Sequence, residues 1–178
     1  MRGGRSSYPL RGRTLLSHAL AGQTETRGSR LLASCTEAAV PWTANALGRP
    51  AAAPVLRLDM LSTADGQPLS VATHWFDATR FAGLPAAVAR TGSVTAGLAA
   101  SGVDDYVRVE TTIEACHATP EDLEELALSP GAIVLVTHAV NATLDGSAFQ
   151  CSQTRFAADR VTLQVNHEAG EDRVSARV

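Results

Sequence analysis

Residues 55–76, VLRLDMLSTADGQPLSVATHWF, contain two strand-like runs joined by the dipeptide Asp65-Gly66. An Asp-Gly pair between such runs predicts a β-hairpin, because a tight primed turn needs positive φ at its centre. A related pattern recurs about eighty residues later, where residues 133–156 read IVLVTHAVNATLDGSAFQCSQTRF and contain Asp145-Gly146. We therefore predict two hairpins and a sheet that is at least partly antiparallel.

A helix-like segment that opens at a proline, Pro41 or Pro120, precedes each hairpin, and a strand-like run precedes each helix. This order predicts one unit, strand–helix–strand–turn–strand, used twice. The predicted strands are 29–39, 54–62, 68–76, 105–116, 131–142 and 147–156, with a seventh candidate at 161–166. The likeness of the two segments has two open explanations: a true duplication, or two unrelated segments that share the residue pattern of strands and turns. Neither unit can bury its own apolar face, so both should share one sheet, with a ligand cleft between them.

Composition indicates one globular domain. The chain has 178 residues, 45% of them hydrophobic, and a mean hydropathy of +0.02. No apolar run approaches the roughly 20 residues that a membrane span requires, and no secretory signal is recognisable. A pI near 5.9 argues against the chain gripping a DNA duplex by itself. We expect a cytoplasmic protein with no membrane partner.

Several segments favour helices, namely 14–22, 42–48, 79–89 and the stretch from Thr91 to about Ser101. A further helix is predicted at Thr119, with threonine as the N-cap, proline at the first position and acidic residues near the positive end of the dipole.

The sequence predicts no metal site and no cofactor. Cys35, Cys116 and Cys151 are widely spaced and form no Cys-x-x-Cys pair, and the five histidines lack metal-ligand spacing. All three cysteines fall in predicted strands, where each is expected to be a small buried thiol.

A set of motifs in order along the chain resembles a known family. The motifs are Tyr8-Pro9-Leu10, Arg13-Thr14 with Ser17, Ala64-Asp65-Gly66-Gln67-Pro68, Thr73-His74-Trp75-Phe76, Thr91-Gly92-Ser93 and Ser152-Gln153-Thr154-Arg155-Phe156-Ala157-Ala158-Asp159-Arg160. Together they resemble the UTRA domain, the effector-binding domain of GntR/HutC-type transcriptional regulators. Within that family they are most similar to the phosphonate-utilisation regulators.

The resemblance implies an α+β fold that is chorismate-lyase-like, an antiparallel sheet of about six strands with helices packed against it. It divides the chain into a linker or disordered arm at 1–7, a UTRA-like ligand-binding domain at 8–166 and a disordered tail at 167–178. It also implies a small anionic effector, such as a phosphonate, phosphate ester or organic acid, and a homodimer. DNA would be bound only through a winged-helix domain that this chain does not contain.

Candidate ligand-binding residues combine the resemblance with anion chemistry. The Gly92-Ser93 helix start offers backbone N–H groups, and arginine meets a phosphate or carboxylate with two parallel hydrogen bonds. The expected set is Arg13, Ser17, His74, Gly92, Ser93, Thr95, Arg108, Ser152, Thr154 and Arg155.

Simpler readings stay open for some of these residues. Ser93 can act only as an N-cap, and His74 can be a satisfied core residue. Strand alternation places Ser152 and Thr154 on one face of the sheet and Arg155 on the other. Three positions depart from the phosphonate-type relatives, Leu15, Leu16 and Ala19, which makes the site more apolar and favours a larger or less charged effector.

The alternatives to a sensor are an enzyme and a dimerisation or ligand-binding module. A chorismate-lyase-like enzyme would share the fold, but the sequence contains no Gly-x-Ser-x-Gly elbow, no phosphate loop with lysine and no His-Glu-x-x-His. We therefore predict no enzyme activity. A free-standing dimerisation or ligand-binding module is the second alternative, with 161–166 as an edge strand that could pair with its twin.

Overall fold

A computed structural model of the chain describes residues 6–10 and 27–165. The strands and helices are, in chain order, β1 (Ser6–Leu10), β2 (Arg27–Ala38), α1 (Pro41–Ala46), β3 (Pro54–Ala64), β4 (Gln67–Asp77), α2 (Leu84–Thr91), α3 (Val94–Ala100), β5 (Val107–His117), α4 (Pro120–Glu125), β6 (Ile133–Ala142), β7 (Ala148–Ala157) and β8 (Val161–Val165). The α+β class and the six main strands agree with the sequence prediction. The predicted helix 14–22 lies outside the described residues.

The main sheet has the strand order β2-β3-β4-β7-β6-β5, and all its neighbours are antiparallel. The order is symmetric about the centre, since β2-β3-β4 and β5-β6-β7 are the two predicted units and β4 pairs with β7. Thr73 pairs with Gln153 in that central ladder. These two residues also hold equivalent positions in the two units, so an approximate twofold axis passes between them.

The irregularities of the sheet also repeat. Leu69 at the start of β4 and Phe149 at the start of β7 are each an extra residue opposite a register shift. The outer strands each carry one further shift, but not at matching positions: Leu31 of β2 faces Met60, whereas Arg108 of β5 faces Asn141, whose counterpart in β3 is Ser62. A β-bulge is a specific local feature rather than a consequence of strand composition. The repetition of the Leu69 bulge at Phe149, the matching position of the second unit, favours duplication over two unrelated segments with a similar strand pattern.

Both predicted hairpins are present, but their turns differ. Asp65 and Gly66 have φ of 49° and 78°, which is the primed turn expected from the sequence. At the second turn only Gly146 has positive φ, at 88°. There the carboxylate of Asp145 accepts hydrogen bonds from the Ser147 N–H at 3.0 Å and the Thr143 hydroxyl at 2.5 Å. The tight primed turn predicted for Asp145-Gly146 is wrong, because this carboxylate stabilises a wider loop.

The sheet has two faces with different helices. We call the side packed by α2 and α3 the front face; its core contains Leu56, Leu58, Met60, Phe76, Leu84, Val88 and Leu98. The opposite side, the back face, carries α1 over Val55 and Cys151 and α4 over Leu61 and Val134. Successive residues of a strand alternate between these faces, so every side chain can be assigned by its register.

The outer strands of the main sheet and the strand predicted at 161–166 differ from what the sequence suggests. Cys35 and Cys116 are exposed and only Cys151 is buried, so the prediction of three buried thiols is wrong for the first two. They lie on β2 and β5, the outer strands of the main sheet, where fewer neighbours cover a side chain. At the other predicted edge, β8 pairs in parallel with β1. Residues 6 and 7 of the predicted arm therefore belong to a strand.

Gly92 gives a direct test of this packing. It ends α2 with φ of 67°, and a Cβ atom there would lie 2.7 Å from the backbone oxygen of Ser29 on β2. Gly102 has φ of 78° but open space around the same position. We expect Gly102→Ala to cost about 1–2 kcal/mol from backbone strain alone. Gly92→Ala should cost at least about 1 kcal/mol more in urea unfolding, because the strand must move away. Equal losses would show that α2 and β2 separate without penalty.

Candidate functional site

The front face is mainly apolar in the first unit and carries more polar side chains in the second, which we call the polar half. Leu58 and Ala72 correspond, under the approximate twofold axis, to Thr137 and Ser152. Both polar residues are buried, with 6% and 5% of their surface exposed. The apolar half is covered by α2 and α3. The polar half therefore contributes less to the hydrophobic core, and its polar side chains are candidates for a binding surface.

A chain of hydrogen bonds runs across this polar half to His74 on β4 of the first unit. Arg108 Nε donates to Asn141 Oδ1 at 3.3 Å, and Asn141 Nδ2 donates to Gln150 Oε1 at 2.8 Å. The amide nitrogen of Gln150 lies 3.0 Å from His74 Nδ1. We call these four side chains, on β5, β6, β7 and β4, the polar row. Asn141 and Gln150 are each only 4% exposed, so the row depends on these mutual contacts for its hydrogen bonds.

Arg108 differs from the other half-buried arginines. Arg57 and Arg155 contact carboxylates at about 3 Å, and Arg160 has one at 3.7 Å. Within the described part of the chain, Arg108 has no carboxylate within 4 Å, and its contact with Asn141 uses only Nε. Among the described residues, no hydrogen bond or ion pair engages its two terminal nitrogens. A partly desolvated charge without a counterion is costly, and an anionic ligand would remove that cost.

His74 is neutral in this environment. Burial is the main cause and the positive charge of Arg108 the second, and together they lower the pKa of His74 to about 4, with Asp59 acting in the opposite direction. His74 therefore serves as a hydrogen-bonding group rather than as a charge at neutral pH.

Arg155 lies on the back face, away from the polar row. Its Nη1 donates to Asp122 Oδ1 and its Nη2 to Glu125 Oε2, both at 2.8 Å, so it fastens α4 to β7. Burial raises the pKa of Glu125, and Arg155 works against that rise. Asp122 also completes the capping box with Thr119 that the sequence predicts in part. As strand alternation predicts, Ser152 and Thr154 lie on the front face and Arg155 does not.

The Gly92-Ser93 segment is occupied by its own structure. Ser93 Oγ accepts a hydrogen bond from the Ala96 N–H at 3.2 Å, which is the N-cap contact of α3. Gly92 is required by its close approach to β2. The structure thus gives both residues a local structural role, while Thr95 is partly exposed on the first turn of α3. Arg13 and Ser17 lie outside the described residues.

Asn141 and Gln150 were not among the residues predicted from sequence. The available signal was the presence of amide side chains on the front-face positions of two strands that form a hairpin. Strand alternation from Asp145-Gly146 could have placed both on one face, although the bulge at Phe149 shifts the count by one residue.

Other kinds of site have little support in residues 27–165. No group of three or more His, Cys, Asp or Glu residues there could hold a metal ion. Burial raises the pKa of the Cys151 thiol to about 12, which keeps it protonated as a core residue. No helix among the described residues is long and apolar enough to cross a membrane.

Convergent polar groups on an otherwise apolar surface are typical of small ligand-binding domains. Comparison with known proteins gives the family. The model of the UTRA domain matches residues 22–162, and the chain belongs to this family. An uncharacterised HTH-type transcriptional regulator of Rhizobium meliloti (strain 1021), RB1450, is 47% identical over 161 residues. That match covers 90% of this chain and 66% of the relative, so the chain spans about two thirds of the relative's length.

Solved structures agree with this assignment at the level of the fold. PhnF from Mycobacterium smegmatis matches with a TM-score of 0.81 and 23% identity, over 93% of this chain and 72% of that one. The effector domain of the same protein gives 0.78 and 22%, over 92% and 99%. The C-terminal domain of YurK from Bacillus subtilis gives 0.70 and 19%, over 92% and 100%. The chorismate-lyase-like α+β fold expected from the motifs is confirmed.

Removing Asp122 should test the back-face ion pair. Asp122→Ala leaves the partly buried Arg155 without one carboxylate and breaks the capping box, so we expect a loss of about 3 kcal/mol in urea unfolding. Glu124→Ala is the matched control, since Glu124 is exposed on the same helix and should change stability by less than about 0.5 kcal/mol. Similar small effects of both substitutions would contradict the role given to Asp122.

The depressed pKa of His74 predicts a pH dependence of stability. The folded state keeps the ring neutral down to about pH 4, whereas the unfolded chain takes up a proton near the ordinary value of 6.5. The contribution of His74 to the free energy of unfolding should therefore be fully present above pH 6.5. The free energy of unfolding should fall by up to about 3 kcal/mol as the pH drops to about 4. Urea unfolding across this range measures the slope. His74→Asn should flatten it, and an unchanged slope would assign the effect to other groups.

Proposed function

We propose that this domain senses a small anionic metabolite, such as a phosphonate, phosphate ester or organic acid, on the polar half of the front face. Arg108 is the anchor for the anion in this proposal. His74, Ser152 and Thr154, from the set expected from the sequence, lie on the same face, and Asn141 and Gln150 join them. Arg155 is left out, since its guanidinium is held by α4.

The observation that carries the proposal is the free end of Arg108. Its Nε is fixed by Asn141, so the side chain is already oriented before any ligand arrives. An oriented guanidinium loses less conformational freedom on binding than a mobile one, and it can form two parallel bonds with a carboxylate or phosphate. The neutral His74 ring adds a hydrogen-bonding group, and it carries no negative charge that would repel the anion.

We further propose that effector binding controls DNA binding by a winged-helix domain. The support is indirect: the Rhizobium meliloti relative is an HTH-type transcriptional regulator, and this chain covers about two thirds of it. The effector would act by favouring one arrangement of the sensor domain over another, which requires different affinities for the two.

A thermal-shift screen of phosphonates, sugar phosphates and organic acids tests the sensing proposal. A true effector at a hundredfold excess over its dissociation constant should stabilise the chain by about 2.7 kcal/mol. Arg108→Ala should weaken binding by roughly ten- to a hundredfold, because a charge-assisted hydrogen-bond pair is lost. Solution NMR of the ligand after incubation should show it unchanged, whereas an enzyme would consume it.

The matched control is Arg90→Ala, which removes an exposed arginine at the end of α2 and changes the net charge equally. It should leave every ligand shift intact. Loss of binding in both variants would indicate a nonspecific charge effect, and the absence of any shift in the wild type would reject the anion-sensing proposal.

A further inference from the structure

We propose that Asn141 and Gln150 are positioning residues that fix His74 in the tautomer with its hydrogen on Nε2. That hydrogen is then a second anchor for the effector, at the opposite end of the polar row from Arg108. The inference deepens the proposed function and rests on it for the effector, but the tautomer itself does not depend on any ligand.

The direction of the row follows from Arg108. A guanidinium can only donate hydrogen bonds, so the atom of Asn141 that faces Arg108 Nε at 3.3 Å is the acceptor, Oδ1. The amide nitrogen of Asn141 must then face Gln150, whose oxygen lies 2.8 Å away. The amide nitrogen of Gln150 is left to donate to His74 Nδ1 at 3.0 Å. One donor-only group at the end therefore orients both amides.

The tautomer of His74 follows from the same reasoning. A neutral imidazole has one donor and one acceptor nitrogen. Since Nδ1 accepts from Gln150, the hydrogen must lie on Nε2. The low pKa of His74 keeps the ring neutral, so the ring is not protonated on both nitrogens near pH 7. Within the part of the chain that the structure describes, Nε2 has no protein partner.

The arrangement selects a class of effector. Arg108 and His74 stand on β5 and β4, which are separated by β6 and β7 in the sheet. Three inter-strand spacings put their backbones roughly 14 Å apart, and the two side chains shorten that gap. A ligand that uses both anchors needs an anionic group at one end and a separate hydrogen-bond acceptor several bonds away. A phosphate ester or a hydroxy or keto acid fits this description, whereas inorganic phosphate reaches only Arg108.

The tautomer can be read directly by two-bond ¹H–¹⁵N NMR of the full chain without ligand. In the wild type, the His74 pattern should be that of the Nε2–H form. In Gln150→Glu the new carboxylate can accept from Asn141 but cannot donate to His74, so the pattern should change to Nδ1–H or to the doubly protonated ring. A purely structural role of Gln150 would leave the tautomer unchanged.

Gln153→Glu is the matched control. Gln153 lies on the back face of the same strand, with its amide nitrogen 3.0 Å from Nε2 of another histidine, His138. Its substitution should alter the His138 pattern and leave that of His74 as it was. A wild-type His74 in the Nδ1–H form, or a His74 pattern insensitive to Gln150→Glu, would overturn the positioning role.

The second anchor is tested by comparing inorganic phosphate with glycerol 3-phosphate in thermal-shift titrations. We expect glycerol 3-phosphate to bind at least about tenfold more tightly, and His74→Phe to remove that advantage without weakening phosphate. Equal binding of the two probes, or binding of neither, would overturn the second anchor. Because the tautomer is measured without ligand, its result stays separate from failure of the anion-sensing proposal.

Discussion

The antiparallel pairing of β4 with β7 is the contact on which the rest of the molecule depends. It joins two copies of one supersecondary unit into a single sheet, and neither copy alone has a second layer broad enough to bury its apolar surface. It also brings His74 beside Gln150. The polar row therefore exists only because the two units meet at these strands, and the candidate site and the structural centre of the fold share one ladder.

The two halves of the sheet use their front faces differently. In the first unit the front face is covered by α2 and α3 through Leu58 and Phe76, which supplies hydrophobic stabilisation. In the second unit, Asn141 and Gln150 occupy front-face positions at a cost in desolvation, and their hydrogen bonds offset that cost. The back face has its own polar contacts, such as Arg57 with Asp59 at 3.1 Å, but these pair a charge with a countercharge. Among the half-buried arginines that the structure describes, Arg108 alone lacks a carboxylate within 4 Å.

Much of the fold could be predicted from sequence, and less of the site. Hairpin dipeptides, strand alternation and the Thr119 cap are local signals, so the strands and the main helices follow from neighbouring residues. The partners of Arg155 and Arg108 are separated from them by about 30 residues, and no local pattern shows which carboxylate or amide each will meet. The bulge at Phe149 could not be predicted either. It changes which face Gln150 occupies, and the composition of the strand does not indicate it.

That bulge has an evolutionary consequence. With Phe149 as the additional residue of β7, both it and Gln150 are directed to the front face, the first against Phe81 and Tyr106 and the second toward His74. A lineage that lost a single codon here would not merely shorten a strand. Without this residue, either the side chains at the start of β7 would exchange faces or the front face would lose one of these two side chains. Insertions and deletions at this point are therefore far less tolerated than substitutions.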